Sequence, residues 1–302
     1  MAECLFNLLG TGKVLFAVNK IVVGSLLISG CLMGCSDPVG PKEAVEISTR
    51  LGAIEGFRQY GVLHFFGIPY AEPPVGEKRL MPPVAAKPWS GVLSARTHGN
   101  RCLQGEGGLE GEGTPFREDC LYLNIYTPSV NGERRPVLLW IHGGGFTQGS
   151  ANGYDGSVLA EQGDVVVVSI NYRLGFLGFA DLSDLGDAFI GSASNGIRDQ
   201  IMALNWVAQN IQDFGGDPEN VTIFGESAGG HSVLGLMAAP SADGLFHKAI
   251  AHSPGLINLP SRSTVPSLIS KYGLEGEALL EYVYSLTEEE ILEAQTDLEF
   301  SG

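Results

Sequence analysis

Basic residues are scarce in this chain of 302 residues. Only 18 lysines and arginines face 34 aspartates and glutamates, which gives a formal net charge of −16. Nucleic acids and anionic membrane surfaces bind through a basic face, so this balance of charge excludes them as expected partners. We interpret the acidic excess as a solubilising surface, and membrane contact is expected only through the N-terminus discussed below.

Linkers, repeats and closely spaced metal ligands are also missing. No Pro- or Ser-rich linker divides the chain after residue 45, there is no internal repeat, and hydrophobic residues make up 44% of the sequence. One large domain, residues 37–302, is therefore predicted. Cysteines with C-x-x-C spacing are absent, and we predict neither a metal site nor a cofactor.

The N-terminus has no apolar run long enough to span a membrane. Residues 21–28, Ile-Val-Val-Gly-Ser-Leu-Leu-Ile, form a short apolar stretch that is typical of a signal peptide. The tetrapeptide ending at Cys31 resembles a bacterial lipobox, and the one ending at Cys35 is a second candidate. We expect residues 1–36 to direct export to the periplasm or cell surface, with a lipid anchor on Cys31. An uncleaved signal-anchor is the alternative.

Five cysteines remain to be assigned. Cys4 precedes the apolar stretch, and Cys31 and Cys35 compete for lipidation. In an exported protein the remaining pair, Cys102 and Cys120, is expected to form a disulfide that contributes about 3 kcal/mol by loop closure. Two free thiols are the alternative.

The segment Gly225-Glu226-Ser227-Ala228-Gly229 carries most of the functional information. It is a G-x-S-x-G pattern that follows the apolar, β-rich residues 221–224 and precedes a run typical of a helix. A serine at a sharp turn between a strand and a helix, flanked by small residues, describes a nucleophile elbow. The pattern is short, so its context must support it.

A second motif lies about eighty residues upstream. The apolar run 137–141 leads into His142-Gly143-Gly144-Gly145-Phe146. Successive glycines after a strand expose backbone N–H groups, and in serine hydrolases such a loop binds the oxyanion. A plain flexible turn is the alternative, which the nearby elbow disfavours.

The remaining pattern alternates strands and helices. A β-branched run at 164–170 and helical spacing from Ile197 to Ile211 precede the elbow, and a further strand is predicted at 248–252. This order predicts the α/β class, with a mostly parallel central sheet and helices on both faces. Four antiparallel strands are expected in the N-terminal part, at 45–49, 53–57, 62–66 and 121–127. A capping box at Thr287 predicts a late helix.

The chain resembles the type B carboxylesterase/cholinesterase family of α/β hydrolases from about residue 45 to about residue 255. The matching segments, in the family's order and spacing, are 66–71, 73–76, Arg79, 118–124, 142–146, 169–173, 195–200, 214–218 and 222–230. The resemblance implies a serine esterase that works through an acyl-enzyme. It implies Ser227 as the nucleophile and the N–H groups of Gly144, Gly145 and Ala228 as the oxyanion hole.

The resemblance also implies roles around the site. Glu226 and His142 are expected to line it, although a structural hydrogen-bond network is the alternative for Glu226, and His142 also reads as a structural part of its loop. Cys102–Cys120 resembles the family's first disulfide. Two structural ion pairs are implied, Arg79 with Glu118 and Arg173 with Asp199.

The substrate class follows from an absence in the disulfide loop. Cholinesterases carry a tryptophan there that holds the choline cation, whereas here residues 103–119 contain no tryptophan and only one aromatic residue, Phe116. A cation–π site needs an aromatic face. Small neutral carboxylic esters are therefore the expected substrates.

The acid and base of the triad are not identified in this sequence. The family places both more than one hundred residues after the serine, so we expect a C-terminally truncated domain without its last strands. The histidines that follow Ser227 are weak substitutes; His231 and His247 are interpreted as structural, and His252 lies at a strand end. The chain is expected to be weakly active or inactive. A non-catalytic binding or adhesion member of the fold is the alternative function.

Overall fold

A mixed β-sheet forms the centre of the protein. The computed structural model describes residues 42–105, 114–255 and 263–298, so the predicted signal peptide and the lipidation site at Cys31 lie outside the described residues. The strands are β1 (Glu43–Thr49), β2 (Gly52–Gln59), β3 (Val62–Pro69), β4 (Val92–Ser94), β5 (Arg101–Cys102), β6 (Phe116–Arg117), β7 (Tyr122–Thr127), β8 (Arg135–Ile141), β9 (Val166–Ile170), β10 (Gly216–Glu226) and β11 (Lys248–His252).

Two kinds of pairing meet in this sheet. Its described strands follow the order β1-β2-β3-β7-β9-β8-β10-β11, with β4 beside β2, while β5 and β6 form a separate pair. Pairing is antiparallel from β1 to β9 and parallel from β9 to β11. The α/β class is confirmed. The four antiparallel strands expected in the N-terminal part are also confirmed, and they correspond to β1, β2, β3 and β7.

The helices are α1 (Ser157–Gly163), α2 (Gly175–Phe179), α3 (Asn195–Asn210), α4 (Ala228–Ala238), α5 (Val265–Tyr272), α6 (Gly276–Ser285) and α7 (Glu288–Asp297). None of the helices in the described ranges is long and apolar enough to cross a membrane.

Helices cover both faces of the sheet, as β9 illustrates. All five of its residues are buried, as expected for a β-branched strand inside a parallel sheet. Val166 packs in one apolar cluster with Leu204 and Val207 of α3. Val167 packs in another cluster with Ala160 of α1. Because neighbouring side chains in a strand point to opposite faces, α1 and α3 lie on opposite sides of the sheet.

A second apolar core joins α2 to the C-terminal helices. Phe176 of α2 packs in one cluster with Leu268 of α5, Val283 of α6 and Ile291 of α7. The capping box at the start of α7 is confirmed: the Glu290 N–H donates to Thr287 Oγ1 (3.2 Å), and the Thr287 N–H donates to the Glu290 carboxylate (2.7 Å). Helix α2 begins five residues after β9 ends, so this core adjoins the carboxyl end of that strand.

Candidate active site

Ser227 occupies a sharp turn between β10 and α4. Strand β10 ends at Glu226, helix α4 begins at Ala228, and Ser227 between them has φ 55° and ψ −120°. Residues other than glycine avoid this conformation, which costs about 1–3 kcal/mol and persists only where the surrounding structure imposes it. The serine is half-buried, so its side chain remains accessible at the end of the sheet.

Glycines on both sides of Ser227 allow backbone segments to approach closely. An ideal Cβ built on Gly229 would lie 2.0 Å from the carbonyl oxygen of Ile141 in β8, and one on Gly225 would lie 2.5 Å from the Gly229 carbonyl. One on Gly230 would lie 2.6 Å from the carbonyl oxygen of His252. Real Cβ atoms do not approach this closely, so the G-x-S-x-G pattern is required here for packing as well as for the turn.

Two backbone hydrogen bonds hold the turn in place. The Ser227 N–H donates to the carbonyl oxygen of His252 at the end of β11 (3.0 Å), and the Ser227 carbonyl accepts from the His231 N–H (2.9 Å). Both backbone polar groups of Ser227 are therefore occupied. Only its hydroxyl remains for chemistry.

The glycine loop, residues 142–149, lies directly against this turn. Gly144, Gly145 and Phe146 all have positive φ, at 104°, 63° and 63°. The Gly144 carbonyl accepts from the N–H groups of the third and fourth residues after it, which closes the loop into a tight turn. A Cβ built on Gly143 would lie 3.2 Å from the Cβ of Ser227, so the loop and the serine face each other.

Unpaired backbone donors are present in both segments that meet at this contact. Within the described ranges, the N–H groups of Gly144 and Gly145 donate to no protein acceptor. The Ala228 N–H is the first of α4, where a helix has no internal acceptor and carries partial positive charge. Free backbone donors in segments that adjoin a serine are the groups from which an oxyanion hole is built.

The buried ring of His142 packs under the backbone of the glycine loop, on the side toward the protein interior. Its ring is fully buried, stacks on Tyr172 with centroids 4.4 Å apart, and places Nδ1 2.7 Å from the Gly143 carbonyl oxygen. Burial lowers the pKa of His142 to about 4. The imidazole is thus neutral at pH 7, and it lies in the interior rather than on an accessible site surface.

In contrast to the buried His142, Glu226 lies on the surface beside the glycine loop. Its side chain is exposed, and Oε2 lies 3.1 Å from the position that a Cβ on Gly143 would occupy. Among the described residues its carboxylate has no hydrogen bond or ion pair. The alternative of a structural hydrogen-bond network therefore has no support in this part of the chain.

Gln104, whose role the sequence did not indicate, links the disulfide loop to the glycine loop. Gln104 is 2% exposed, and its side-chain amide accepts from the Gly149 N–H and donates to the Gly149 carbonyl, both at 2.8 Å. The predicted disulfide Cys102–Cys120 is present two residues away. Nothing in the residue type or its neighbours signals this double contact, since a glutamine in a glycine-rich loop usually faces solvent.

The two expected ion pairs are present and buried. Arg173 binds Asp199 through Nε (2.8 Å) and Nη2 (2.7 Å), with side chains 2% and 0% exposed. Arg79 binds Glu118 in the same two-pronged way at 2.6 Å, and its remaining Nη1 donates to three carbonyls at the end of α6, from residues 283, 284 and 286. Each pair links residues that lie at least 26 positions apart in the sequence.

The single aromatic residue of the disulfide loop is already occupied. The guanidinium carbon of Arg101 lies 4.0 Å from the centre of the Phe116 ring. One face of the only aromatic ring in residues 103–119 is therefore covered by a cation of the chain itself.

The histidines after Ser227 do not reach its hydroxyl. In residues 42–105, 114–255 and 263–298, no imidazole or carboxylate forms a hydrogen bond with Ser227 Oγ. His252 meets the serine through its backbone carbonyl while its ring is exposed, and the Nδ1 of His247 accepts from the Val221 N–H (3.1 Å). The same ranges contain no cluster of three side chains suited to bind a metal ion.

The sheet order, the serine at the strand-to-helix turn and the facing glycine loop define an α/β-hydrolase fold. The sequence model of the carboxylesterase family matches residues 43–301. This chain belongs to that family.

Similar proteins agree in class. The chain is 42% identical over 260 residues to the para-nitrobenzyl esterase of Bacillus subtilis, a match that covers 83% of this chain and 53% of the relative. It is 41% identical over 288 residues to a human cocaine esterase, covering 88% and 50%. A solved carboxylesterase from Geobacillus stearothermophilus superposes with a TM-score of 0.74 at 40% identity, covering 84% and 53%. The chain thus spans about half the length of these relatives.

Proposed function

We propose that this chain carries the nucleophile and the oxyanion-binding part of a serine carboxylic ester hydrolase. In this proposal Ser227 Oγ attacks the ester carbonyl, and the N–H groups of Gly144, Gly145 and Ala228 hold the negative charge that develops on the carbonyl oxygen. Collapse of the tetrahedral intermediate releases the alcohol and leaves an acyl-serine. Water then attacks the acyl-serine and releases the acid.

One observation carries the proposal: a strained serine packs against a glycine loop that contains unpaired backbone donors. Ser227 adopts φ 55° with both backbone polar groups occupied, and the Gly143 backbone lies against its side chain. A structure has no packing reason to retain this strain at an accessible serine, whereas a nucleophile gains exposure and orientation from it. The names of the relatives, which are esterases, support the same chemistry.

The proton-transfer groups complete the proposal. A serine needs a base within hydrogen-bond reach and an acid that orients the base. Because the matched relatives are about twice as long as the segment they share with this chain, we propose that both groups belong to the part of the fold that this chain does not span. Without them, the rate in a comparable triad falls by about 10⁴–10⁶-fold.

The proposed substrates are small neutral esters. Arg101 covers one face of the Phe116 ring, and residues 103–119 contain no other aromatic residue, so the disulfide loop offers little aromatic surface to a quaternary ammonium group. The acidic surface of the chain, with a net charge of −16, would also repel anionic esters at low ionic strength.

We further propose that the protein is exported and anchored by a lipid on Cys31, with residues 1–36 as its signal peptide. The disulfide Cys102–Cys120 supports an oxidising compartment, and the sequence before Cys31 supports a lipobox. Metabolic labelling with a fatty-acid analogue tests this assignment, because Cys31→Ser should remove the label and Cys35→Ser should retain it.

A fluorophosphonate probe tests the proposed nucleophile directly. Labelling of the purified chain should be slow, because the proposed base is not part of it, and should be followed over hours. It should map to Ser227 and disappear in Ser227→Ala, because the accessible hydroxyl and the free backbone donors still favour attack at the phosphorus of the probe. The matched control is Ser241→Ala, an exposed serine in the turn after α4, which should leave labelling unchanged. Slow hydrolysis of p-nitrophenyl acetate, also lost in Ser227→Ala, is expected in parallel.

Absence of both labelling and hydrolysis would contradict the proposal. That outcome, in a chain shown to be folded by circular dichroism, favours the alternative of a non-catalytic binding member of the same fold. Labelling at a different serine would leave an esterase but reject this site.

A further inference from the structure

The glycine loop is held from behind by the short helix α2. The Gly175 N–H, at the start of α2, donates to the carbonyl oxygen of Phe146 (2.7 Å). Phe146 is the last of the three consecutive residues with positive φ. The rings of Phe146 and Phe179, at the other end of α2, also pack with centroids 4.9 Å apart. The orientation of α2 therefore fixes where the strained part of the loop ends.

The N-terminus of α2 is in turn held by a side chain from α7. Gln295 Oε1 accepts a hydrogen bond from the Phe176 N–H (3.3 Å). A Cβ built on Gly175 would lie 1.8 Å from Gln295 Oε1, and Gly175 itself has φ 49°. Only glycine at position 175 allows both the backbone conformation and the approach of the glutamine.

Helix α7 is itself a fixed support. At its start, the Glu288 carboxylate accepts from the Glu118 N–H of the disulfide loop (2.9 Å). At its end, Asp297 pairs with Lys271 of α5. Between them Ile291 is buried in the core shared with α2. A side chain on this helix can therefore determine the position of α2.

We propose that Gln295 is a positioning residue for the oxyanion-binding loop. Through the Phe176 N–H it fixes the start of α2, so that the neighbouring Gly175 N–H meets the Phe146 carbonyl and the N–H groups of Gly144 and Gly145 keep their orientation beside Ser227. The catalytic consequence rests on the function proposed above, whereas the structural link does not.

Three variants separate positioning from packing. Gln295→Met keeps the length and most of the volume of the side chain but removes the acceptor. Gln295→Glu keeps an acceptor for the Phe176 N–H and should restore wild-type behaviour, since a carboxylate is favoured at a helix N-terminus. Glu293→Gln is the matched control, because residue 293 lies on the same helix with its side chain exposed.

Two measurements on the full chain give the answer. The rate of fluorophosphonate labelling at Ser227 should fall by about threefold to tenfold in Gln295→Met, the effect of one lost hydrogen bond. The final extent of labelling reports the folded fraction and should not change. Hydrogen exchange of the peptide covering residues 143–149, read by mass spectrometry, should accelerate in Gln295→Met and match the wild type in Gln295→Glu and Glu293→Gln.

The outcomes are distinct. Wild-type exchange and labelling rates in Gln295→Met would overturn the proposal, and so would equal losses in Gln295→Met and Gln295→Glu. If the wild-type chain is not labelled at all, the proposed function fails, and the exchange of residues 143–149 alone decides whether Gln295 positions the loop. If Gln295→Met does not fold, Gln295→Asn, whose shorter amide cannot reach Phe176, is measured in the same way.

Discussion

Backbone contacts hold the centre of the candidate site together, whereas side-chain contacts hold its surroundings. At the centre, backbone packs against backbone: Gly143, Gly225 and Gly229 each approach another segment more closely than a Cβ allows. In the surroundings, buried side chains make the links, through the Arg173–Asp199 and Arg79–Glu118 ion pairs and the disulfide.

This difference predicts opposite sensitivities. The centre has no room for added atoms, whereas the surroundings cannot lose atoms without leaving a buried charge or polar group unpaired. A backbone-built centre also leaves its N–H groups free for a ligand. A surround built from paired side chains holds the loops without using those donors.

Adding one methyl group to the centre should have the largest effect. We expect Gly229→Ala to destabilise the protein by about 4 kcal/mol, because the new Cβ would meet the rigid Ile141 carbonyl of β8. Gly235→Ala is the matched control in the same helix, with nothing within 4 Å of its Cβ position; it should stabilise by up to about 1 kcal/mol. Urea unfolding midpoints measure both, and equal shifts would remove the contrast on which this comparison rests.

Removing one partner from the surroundings should have the next largest effect. Asp199→Ala leaves the guanidinium of Arg173, 2% exposed, without a counter-ion, and should cost about 3 kcal/mol. The control Glu55→Ala breaks the half-exposed pair between Glu55 (36% exposed) and Arg96 (39% exposed). It should lower the free energy of unfolding by less than about 1 kcal/mol. Similar losses of unfolding free energy in the two variants would show that burial does not determine how much these ion pairs contribute to stability.

The smallest expected effect is a pH dependence of the free energy of unfolding, which we attribute to the buried His142. His142 has a folded-state pKa of about 4, against 6.5 in its ordinary environment, so the unfolded chain binds the extra proton first. Its contribution is fully present above pH 6.5 and is lost as the pH falls toward 4, by about 2 kcal/mol at pH 5. His142→Gln should flatten the stability profile between pH 4 and 6.5, although His64 and His98, whose pKa values are also lowered mainly by burial, retain part of the slope. An unchanged slope would exclude His142 as a source.

The sequence predicted the elements that local patterns encode. The elbow strand, the strand at 248–252 and the capping box at Thr287 agree with the structure because periodicity and turn residues act locally. The choice of β9 as a partner of β7 could not be predicted, since the paired residues lie 41 to 47 positions apart in the sequence.

Contacts made by single side chains at long range were also beyond the sequence. Gln104 and Gln295 are ordinary polar residues whose partners, Gly149 and Phe176, lie 45 and 119 positions away. Neither spacing nor composition distinguishes them from the other glutamines. The burial of His142 likewise depends on Tyr172, thirty positions away, so its place under the loop rather than on the site surface required the three-dimensional structure.

The hydrogen bond from the Ser227 N–H to the His252 carbonyl links Ser227 to β11 as well as to its own strand. Strands β10 and β11 pair in parallel register, with Glu226 opposite His252, so the accepting carbonyl belongs to the last paired residue of β11. A change in the twist or register of β11 would therefore move the serine, even if β10 and α4 kept their own geometry. The position of one side chain at the candidate site is thus set by the pairing of two strands and not by the turn alone.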